Sequence, residues 1–240
     1  MISGRHAALL GALALSLTGA VSPSARAQTI EASAPTELRP PTPTWELNAG
    51  VRTMYIKSAG FDPFSTNDGF VQFSLSGLGV VARRGHLSLA VGVGLDVGSS
   101  SSTARSEPST LSLTRPSALA EGRYQPWSRL YLFARLAPGL VHGTATIDDA
   151  SAPAGSTLTT DFDAFSLDAS GGAAFCLGAV GNPRLGVWLL ADGGYGWVAS
   201  QDLILAPTLG NADQRKAGTL DLGTLAPRGG FFRISAALTY

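Results

Sequence analysis

The sequence predicts an all-β fold: an eight-stranded antiparallel up-and-down β-barrel whose strands cross a membrane. Three observations predict it. Apolar residues alternate with small or polar ones at a period of two, segment after segment, from Trp45 to Tyr240, the mark of strands with two unlike faces. The segments are joined by connections that alternate between short and long, as in transmembrane barrels. Glycine is abundant, at 29 residues, whereas lysine is confined to Lys57 and Lys216, so the Lys/Glu-rich surface of a soluble domain is missing. Beyond the N-terminal segment no apolar run is long enough for a transmembrane helix. An apolar chain without such a helix can still span a bilayer as a closed barrel.

Residues 1–27 are expected to be a cleaved signal peptide. Arg5 and His6 precede an apolar stretch from Ala7 to Val21, and Ala25-Arg26-Ala27 supplies the small-x-small cleavage pattern. The stretch is short for a spanning helix. The remaining 213 residues, from Gln28, carry 15 basic and 17 acidic side chains and suit one domain. No basic stripe suggests a nucleic-acid partner. Cys176 is the only cysteine, which excludes an internal disulfide, and it does not follow the cleavage site as a lipid-attachment cysteine would. Residues 28–44 hold Pro35, Pro40, Pro41 and Pro43 and no period, and are read as a disordered periplasmic lead. The barrel domain is placed at 45–240.

Each strand follows from its alternation. The first sets Trp45, Leu47, Ala49, Val51 and Tyr55 against Glu46, Asn48, Gly50 and Arg52. The second sets Val71, Phe73, Leu75 and Val81 against Gln72, Ser74 and Ser76. The third is the clearest: Leu87, Leu89, Val91, Val93, Leu95 and Val97 share one face, with Ser88, Ala90, Gly92, Gly94 and Asp96 on the other. Eleven residues at about 3.3 Å each, tilted by roughly 45°, cross the hydrocarbon layer. The fourth, about Leu111 to Tyr124, is interrupted by Pro116, where a bulge would switch its facing; Glu121 and Arg123 are read as inward. In the fifth, Arg129 to Leu140, charge decides. Arg135 facing lipid at mid-depth costs about 2–4 kcal/mol, so it points inward and Leu130, Leu132, Ala134 and Leu136 point out. The sixth sets Phe165, Leu167, Ala169, Ala173, Phe175 and Leu177 against Ser166, Asp168, Ser170, Gly172 and Cys176. The seventh sets Leu185, Val187, Leu189, Ala191, Tyr195 and Trp197 against Gly186, Trp188, Asp192 and Gly194. The last sets Phe232, Ile234, Ala236, Leu238 and Tyr240 against Arg233, Ser235, Ala237 and Thr239.

Short connections are expected at 82–85, 125–128 and 179–184, and long loops at 57–69, 98–110, 143–161 and 199–228. Both chain ends then fall on the short-turn, periplasmic side. A soluble barrel would put bulky residues inside and charges outside. Here the non-bulky face is mostly Gly, Ala and Ser with single charges of both signs, namely Glu46, Arg52, Asp96, Arg135, Asp168, Asp192 and Arg233. Such a face suits a narrow, charge-paired, side-chain-filled interior. Trp45, Tyr124 and Trp127 fall near one set of strand ends, and Tyr55, Tyr195 and Trp197 near the other, as interface aromatics do.

With these residues in place, the chain from Trp45 to Tyr240 resembles the small bacterial outer-membrane β-barrel proteins of the OmpA-like transmembrane type. Its last strand, alternating through Phe232, Ile234 and Leu238 to Tyr240, is similar to the assembly signal of that class. The resemblance implies a Gram-negative outer-membrane location, outer-membrane lipids as surroundings, and periplasmic chaperones and the barrel-assembly machinery as transient partners. A monomer is expected. The OmpA-like pattern often continues into a peptidoglycan-binding domain; here the chain stops at the barrel, so cell-wall anchoring is not implied.

The expected role is structural or surface-interacting, carried by four surface loops. A narrow porin-like pore is the alternative, and a lipid A-modifying enzyme the second. No catalytic residue, metal or cofactor is assigned. A hydroxyl nucleophile needs a nearby base, and the only histidine at the outer end, His142, has no Ser two residues away. Asp148, Asp149, Asp161 and Asp163 flank the third loop and offer the oxygens a Ca²⁺ would want, but a solvated loop base is preferred. Arg83 and Arg84 are read as capping a tight turn. Ser99 to Ser102 and the fourth loop, with Gln214-Arg215-Lys216, look flexible and hydrophilic.

Overall fold

A computed structural model of the chain describes residues 44–104, 107–149, 156–179, 185–207 and 219–240. The signal peptide, the lead up to residue 43, and Gln214-Arg215-Lys216 lie outside the described residues. Ten strands follow in order: β1 (Trp45–Tyr55), β2 (Gly69–Arg84), β3 (Leu87–Ala104), β4 (Glu107–Trp127), β5 (Leu130–Asp149), β6 (Ser156–Ala179), β7 (Gly186–Val198), β8 (Gln201–Pro207), β9 (Leu220–Leu225) and β10 (Gly229–Thr239).

Eight of them close a ring. Sequential antiparallel pairing runs from β1 through β7, β10 pairs β7, and β1 pairs β10. Closure leaves the ring without a free edge, which every backbone group inside a bilayer requires. The register fixes the tilt. A row of paired residues leaves β3 at Leu87 and passes through Tyr124, Leu132, Ala173, Ala191, Ile234, Val51 and Phe73. It returns to β3 at Val97, ten residues along. Ten residue rises around eight inter-strand spacings give a strand tilt of roughly 40°.

Alternation holds along the walls. On β1 the odd-numbered side chains from Trp45 to Tyr55 are exposed while Glu46, Asn48, Arg52 and Met54 are buried. Exposed large apolar residues line the outside of the ring, Val91, Val93, Leu136, Phe175, Leu189 and Ile234 among them, while β4 presents Pro116, Ala118, Ala120 and Gly122 and carries large ones only at Tyr124 and Trp127. Two inward glycines sit where the neighbouring strand leaves no room for a Cβ. A Cβ at Gly92 would lie 1.9 Å from the Gly77 carbonyl oxygen, and one at Gly229 would lie 1.8 Å from that of Tyr55.

Four expectations are corrected. First, β4 does not switch facing at Pro116. Leu113, Arg115, Ser117, Leu119, Glu121 and Arg123 are all buried. Thr114↔His142 and Ser117↔Gly139 keep one register across the proline, so the missing N–H skips ladder rungs without inserting a residue. The irregularity lies at Tyr124/Trp127, with others at Val80/Ala82 and Cys176/Gly178. All three are at the short-turn end, where bulges let strands bend into turns.

Second, the second and third long loops are largely strand. β3 runs to Ala104 and β4 starts at Glu107, while β5 and β6 pair out to Asp149 and Ser156. Ser99 to Ser102 therefore belong to a paired strand. Third, the fourth loop carries the β8–β9 hairpin, and β8 adds to β6 through Leu158↔Pro207 and Thr159↔Ala206. Fourth, the 125–128 connection is mostly strand, with the turn at Ser128-Arg129. At the 82–85 connection, Gly85 at φ 59° occupies the two-residue turn between β2 and β3, a backbone region that glycine adopts readily.

Candidate functional site

The inner face holds bulky apolar residues as well as the small and charged ones that alternation places there. The lumen is layered. At the short-turn end Tyr131, Phe133, Trp188, Leu190, Ala174 and Ala237 pack together, with the Trp188 ring 5.1 Å from Tyr131. Trp188 Nε1 donates to Thr239 Oγ1 at 3.1 Å, which meets the partner requirement of a buried indole. At the long-loop end a larger apolar cluster fills the mouth. Ring strands supply Met54, Phe70, Leu111, Val141, Ile147 and Phe231. The first loop contributes Phe61 and Phe64, and the β8–β9 hairpin Leu203, Leu205 and Leu225. Phe61, Phe64, Leu203, Leu205 and Leu225 are fully buried.

The first loop enters the mouth as a strap. A single 3₁₀ turn, Asp62–Phe64, reverses it. Its carbonyls, which have no sheet partner, are taken by the walls: Ser100 Oγ donates to the Phe64 oxygen at 2.6 Å, and Ser109 Oγ donates to that of Pro63. Ser58 Oγ donates to the Thr224 carbonyl and accepts from the Ala226 N–H at 3.1 Å, tying strap and hairpin together.

Between the apolar layers lies a charged one of five arginines and five carboxylates, all buried. Nearer the short-turn end, Glu121 bridges two cations. Arg123 Nε lies 2.6 Å from Glu121 Oε1, and Arg135 Nε 2.6 Å from Glu121 Oε2. Arg123 Nη1 also reaches Glu46 Oε2 at 2.9 Å, and Tyr131 donates its hydroxyl to the same oxygen at 3.0 Å. Nearer the long-loop end, Asp168 holds Arg52 at 2.9 Å and Arg115 at 2.6 Å, while Asp96 holds Arg115 at 2.7 Å and accepts from Ser74. Arg233 pairs with Asp192 at 3.2 Å. The guanidinium groups also lie over the aromatic floors: Arg52 is 4.4 Å from the Phe231 ring centre and Arg123 4.9 Å from that of Tyr131. Equal numbers of opposite charges, each within hydrogen-bond reach of another, are what makes burial of ions tolerable.

All seven charges singled out in the sequence, Glu46, Arg52, Asp96, Arg135, Asp168, Asp192 and Arg233, lie in this layer, as do Glu121 and Arg123. Arg115 was missed. Its signal was its parity, since it shares the odd-numbered face of Glu121 and Arg123, but the switch assigned to Pro116 concealed it. Tyr131, Gln72 and Ser74 were missed as partners. Gln72 accepts from Arg52.

Trp45, Tyr124, Trp127, Tyr55, Tyr195 and Trp197 all sit on the outer surface. On the last strand Phe232, Ile234, Leu238 and Tyr240 face outward, and the Tyr240 ring stacks on Trp45 at 5.9 Å. The Tyr240 carbonyl accepts from the Thr44 N–H at 2.6 Å.

His142 is on the outer wall, its Nδ1 3.0 Å from Asp163 Oδ1, both exposed. No seryl hydroxyl bonds to it among the described residues. The acidic residues flanking the third loop do not converge. Asp148, Asp161 and Asp163 are strung along the β5–β6 ladder, meeting Thr157, Thr144 and His142 respectively. The side chain of Asp149 is outside the described residues. No group of three potential metal ligands occurs among the described residues.

A closed ring of eight tilted strands with its apolar face outward decides the fold type. The fold is that of a small outer-membrane β-barrel. Solved outer-membrane proteins align with the chain over most of their own length. Ail of Yersinia pestis is 11% identical, with 82% of this chain and 97% of that one covered at a TM-score of 0.44. Neisserial surface protein A is 14% identical over the same shares, also at 0.44. The outer-membrane protease OmpT of Escherichia coli is 7% identical, covering 81% and 96%, at 0.48. No family model matches the chain, and no curated protein does.

Proposed function

We propose that the chain is an integral outer-membrane barrel with a sealed, non-conducting interior, acting as a structural or surface-interacting protein through the wall and loops at its long-loop end. The observation that carries this reading is the apolar plug. A path through the lumen meets Phe61, Phe64, Leu203, Leu205 and Leu225, all fully buried, then a charge layer whose ions are neutralised in place, then the Tyr131–Trp188 packing. An ion entering would have to shed water with no unpaired charge to receive it.

Membrane integration follows from the reversed polarity. Charges are inside, and bulky apolar side chains are outside in a band between two levels of exposed aromatics, the arrangement that lipid selects. With the strap and the β8–β9 hairpin at one end and the two-residue turns of β2–β3 and β4–β5 at the other, the long-loop end faces the cell exterior and the chain ends face the periplasm.

Two measurements test the reading. Protein refolded into phospholipid vesicles migrates differently on gels before and after boiling. In planar bilayers it produces no stable current steps, and reproducible unitary steps would overturn the sealed interior in favour of a pore.

A further inference from the structure

Above the lipid-facing band, the outer wall changes chemistry within one residue pair. Leu140 and Phe165 are the last large apolar residues facing outward on β5 and β6 themselves. The next outward positions are His142 and Asp163, paired with each other. From there to the tips, the outward positions of β3 to β6 hold Ser, Thr and Asp almost throughout. They align in rows across the four strands, one running Ser99, Ser112, Thr144, Asp161 and the next Ser101, Thr110, Thr146, Thr159. No Lys, Arg or Glu projects from this face among the described residues.

We propose that this hydroxyl and carboxylate wall is a docking face for the sugar headgroups of the surrounding outer-leaflet glycolipid. The inference rests on the membrane placement above.

The first argument is continuity. The wall extends the lipid-facing band without a break, so its nearest lateral neighbour at this height is the polar part of the same lipids. The second is height. His142 to Asp148 spans six residue steps, about 15 Å along the membrane normal at a tilt of roughly 40°. The polar layer of a phospholipid leaflet is only about 5–8 Å deep. A wall twice that height matches a leaflet whose headgroups are oligosaccharides. The third is preorganisation. Thr144 donates to Asp161 at 2.7 Å, Thr157 to Asp148 at 3.0 Å, and Ser101 meets Thr110 at 3.2 Å. Short side chains on paired strands, several of them already held by such a bond, present their remaining lone pairs with little rotamer entropy to lose. The long charged side chains of an ordinary solvated surface would hold sugars away from the sheet.

The test compares unfolding midpoints in two kinds of vesicle: phosphatidylethanolamine–phosphatidylglycerol alone, and the same with lipopolysaccharide. The parent chain is expected to gain about 5 °C or more from the glycolipid. The variant S112A/T144V/T146V/T159V keeps strand-forming residues on the outer wall and touches no lumen residue. It is expected to match the parent in phospholipid and to lose most of the gain. Equal gains for parent and variant, or no gain for the parent, overturn the inference while leaving the barrel intact. Soluble core oligosaccharide is expected to give no shift; a shift equal to that of the glycolipid would overturn the membrane-held source. A chain that enters neither vesicle overturns the membrane reading, and the inference with it.

Discussion

Replacing Glu121 by Gln probes the charge layer at its most connected point. The Glu121 side chain has no exposed surface and holds Arg123 and Arg135 at 2.6 Å each through their Nε atoms. Glutamine keeps the shape and one acceptor oxygen but removes the charge, leaving two guanidinium groups with Glu46 as the carboxylate still paired to Arg123. Removing one partner of a buried ion pair costs about 3–5 kcal/mol. Retained Glu46 and the aromatic floors under Arg123 and Arg135 offset part of this, so a loss of about 3 kcal/mol is expected, roughly a hundredfold in the folding equilibrium. Urea titration in vesicles, followed by gel mobility, measures it. The double variant E121Q/R135Q should recover a good part of the loss, because the more isolated cation is gone. A loss below about 1 kcal/mol, or a double variant as unstable as the sum of its parts, would refute the view that these ions hold one another.

Three further outcomes follow from the same geometry. Gly92→Ala should block assembly, seen as loss of the heat-modifiable species, because the new Cβ would sit 1.9 Å from the Gly77 carbonyl oxygen. Val93→Arg, at the most exposed apolar position of β3, should lower stability in vesicles by about 2–4 kcal/mol, whereas Ser101→Arg, on the polar wall, should change it by about 0.5 kcal/mol or less. Replacing Phe61 and Phe64 by Ser should make the strap sensitive to added protease while the ring strands stay folded, since local opening draws on the strap's own contacts; limited proteolysis with mass mapping reads both.

Much of the ring was legible because the period of two survives wherever one wall faces lipid and the other faces the lumen. Arg135 turned β5 the right way on charge alone, and the inward set of Glu46, Arg52, Asp96 and Asp168 came directly from parity. What was not legible has physical reasons. Pro116 reads as a break because it lacks a donor, yet at this position it only removes ladder rungs. The plug was hidden because Phe61, Phe64, Leu203 and Leu205 lie in segments that read as loops, and alternation does not distinguish a buried bulky residue from a lipid-facing one. On β4 and β5, Leu111, Leu113, Val141 and Ile147 face inward above the charge layer. There the polarity of the wall reverses, with apolar residues inside and hydroxyls outside. A fixed rule of bulky residues outward fails at that height. The third loop was drawn too long for the same reason, since Thr144 to Asp148 looks polar but remains sheet.

Contact of the ring's outer face with lipid can be measured residue by residue. With Cys176 replaced by Ser, single cysteines at positions 91 to 97 of β3 can be labelled with a nitroxide in vesicles and tested for collision with dissolved oxygen and with a water-soluble nickel chelate. A period of two is expected, with Val91, Val93, Leu95 and Val97 open to oxygen and closed to the chelate. Equal or greater access of the chelate to those four positions would contradict it.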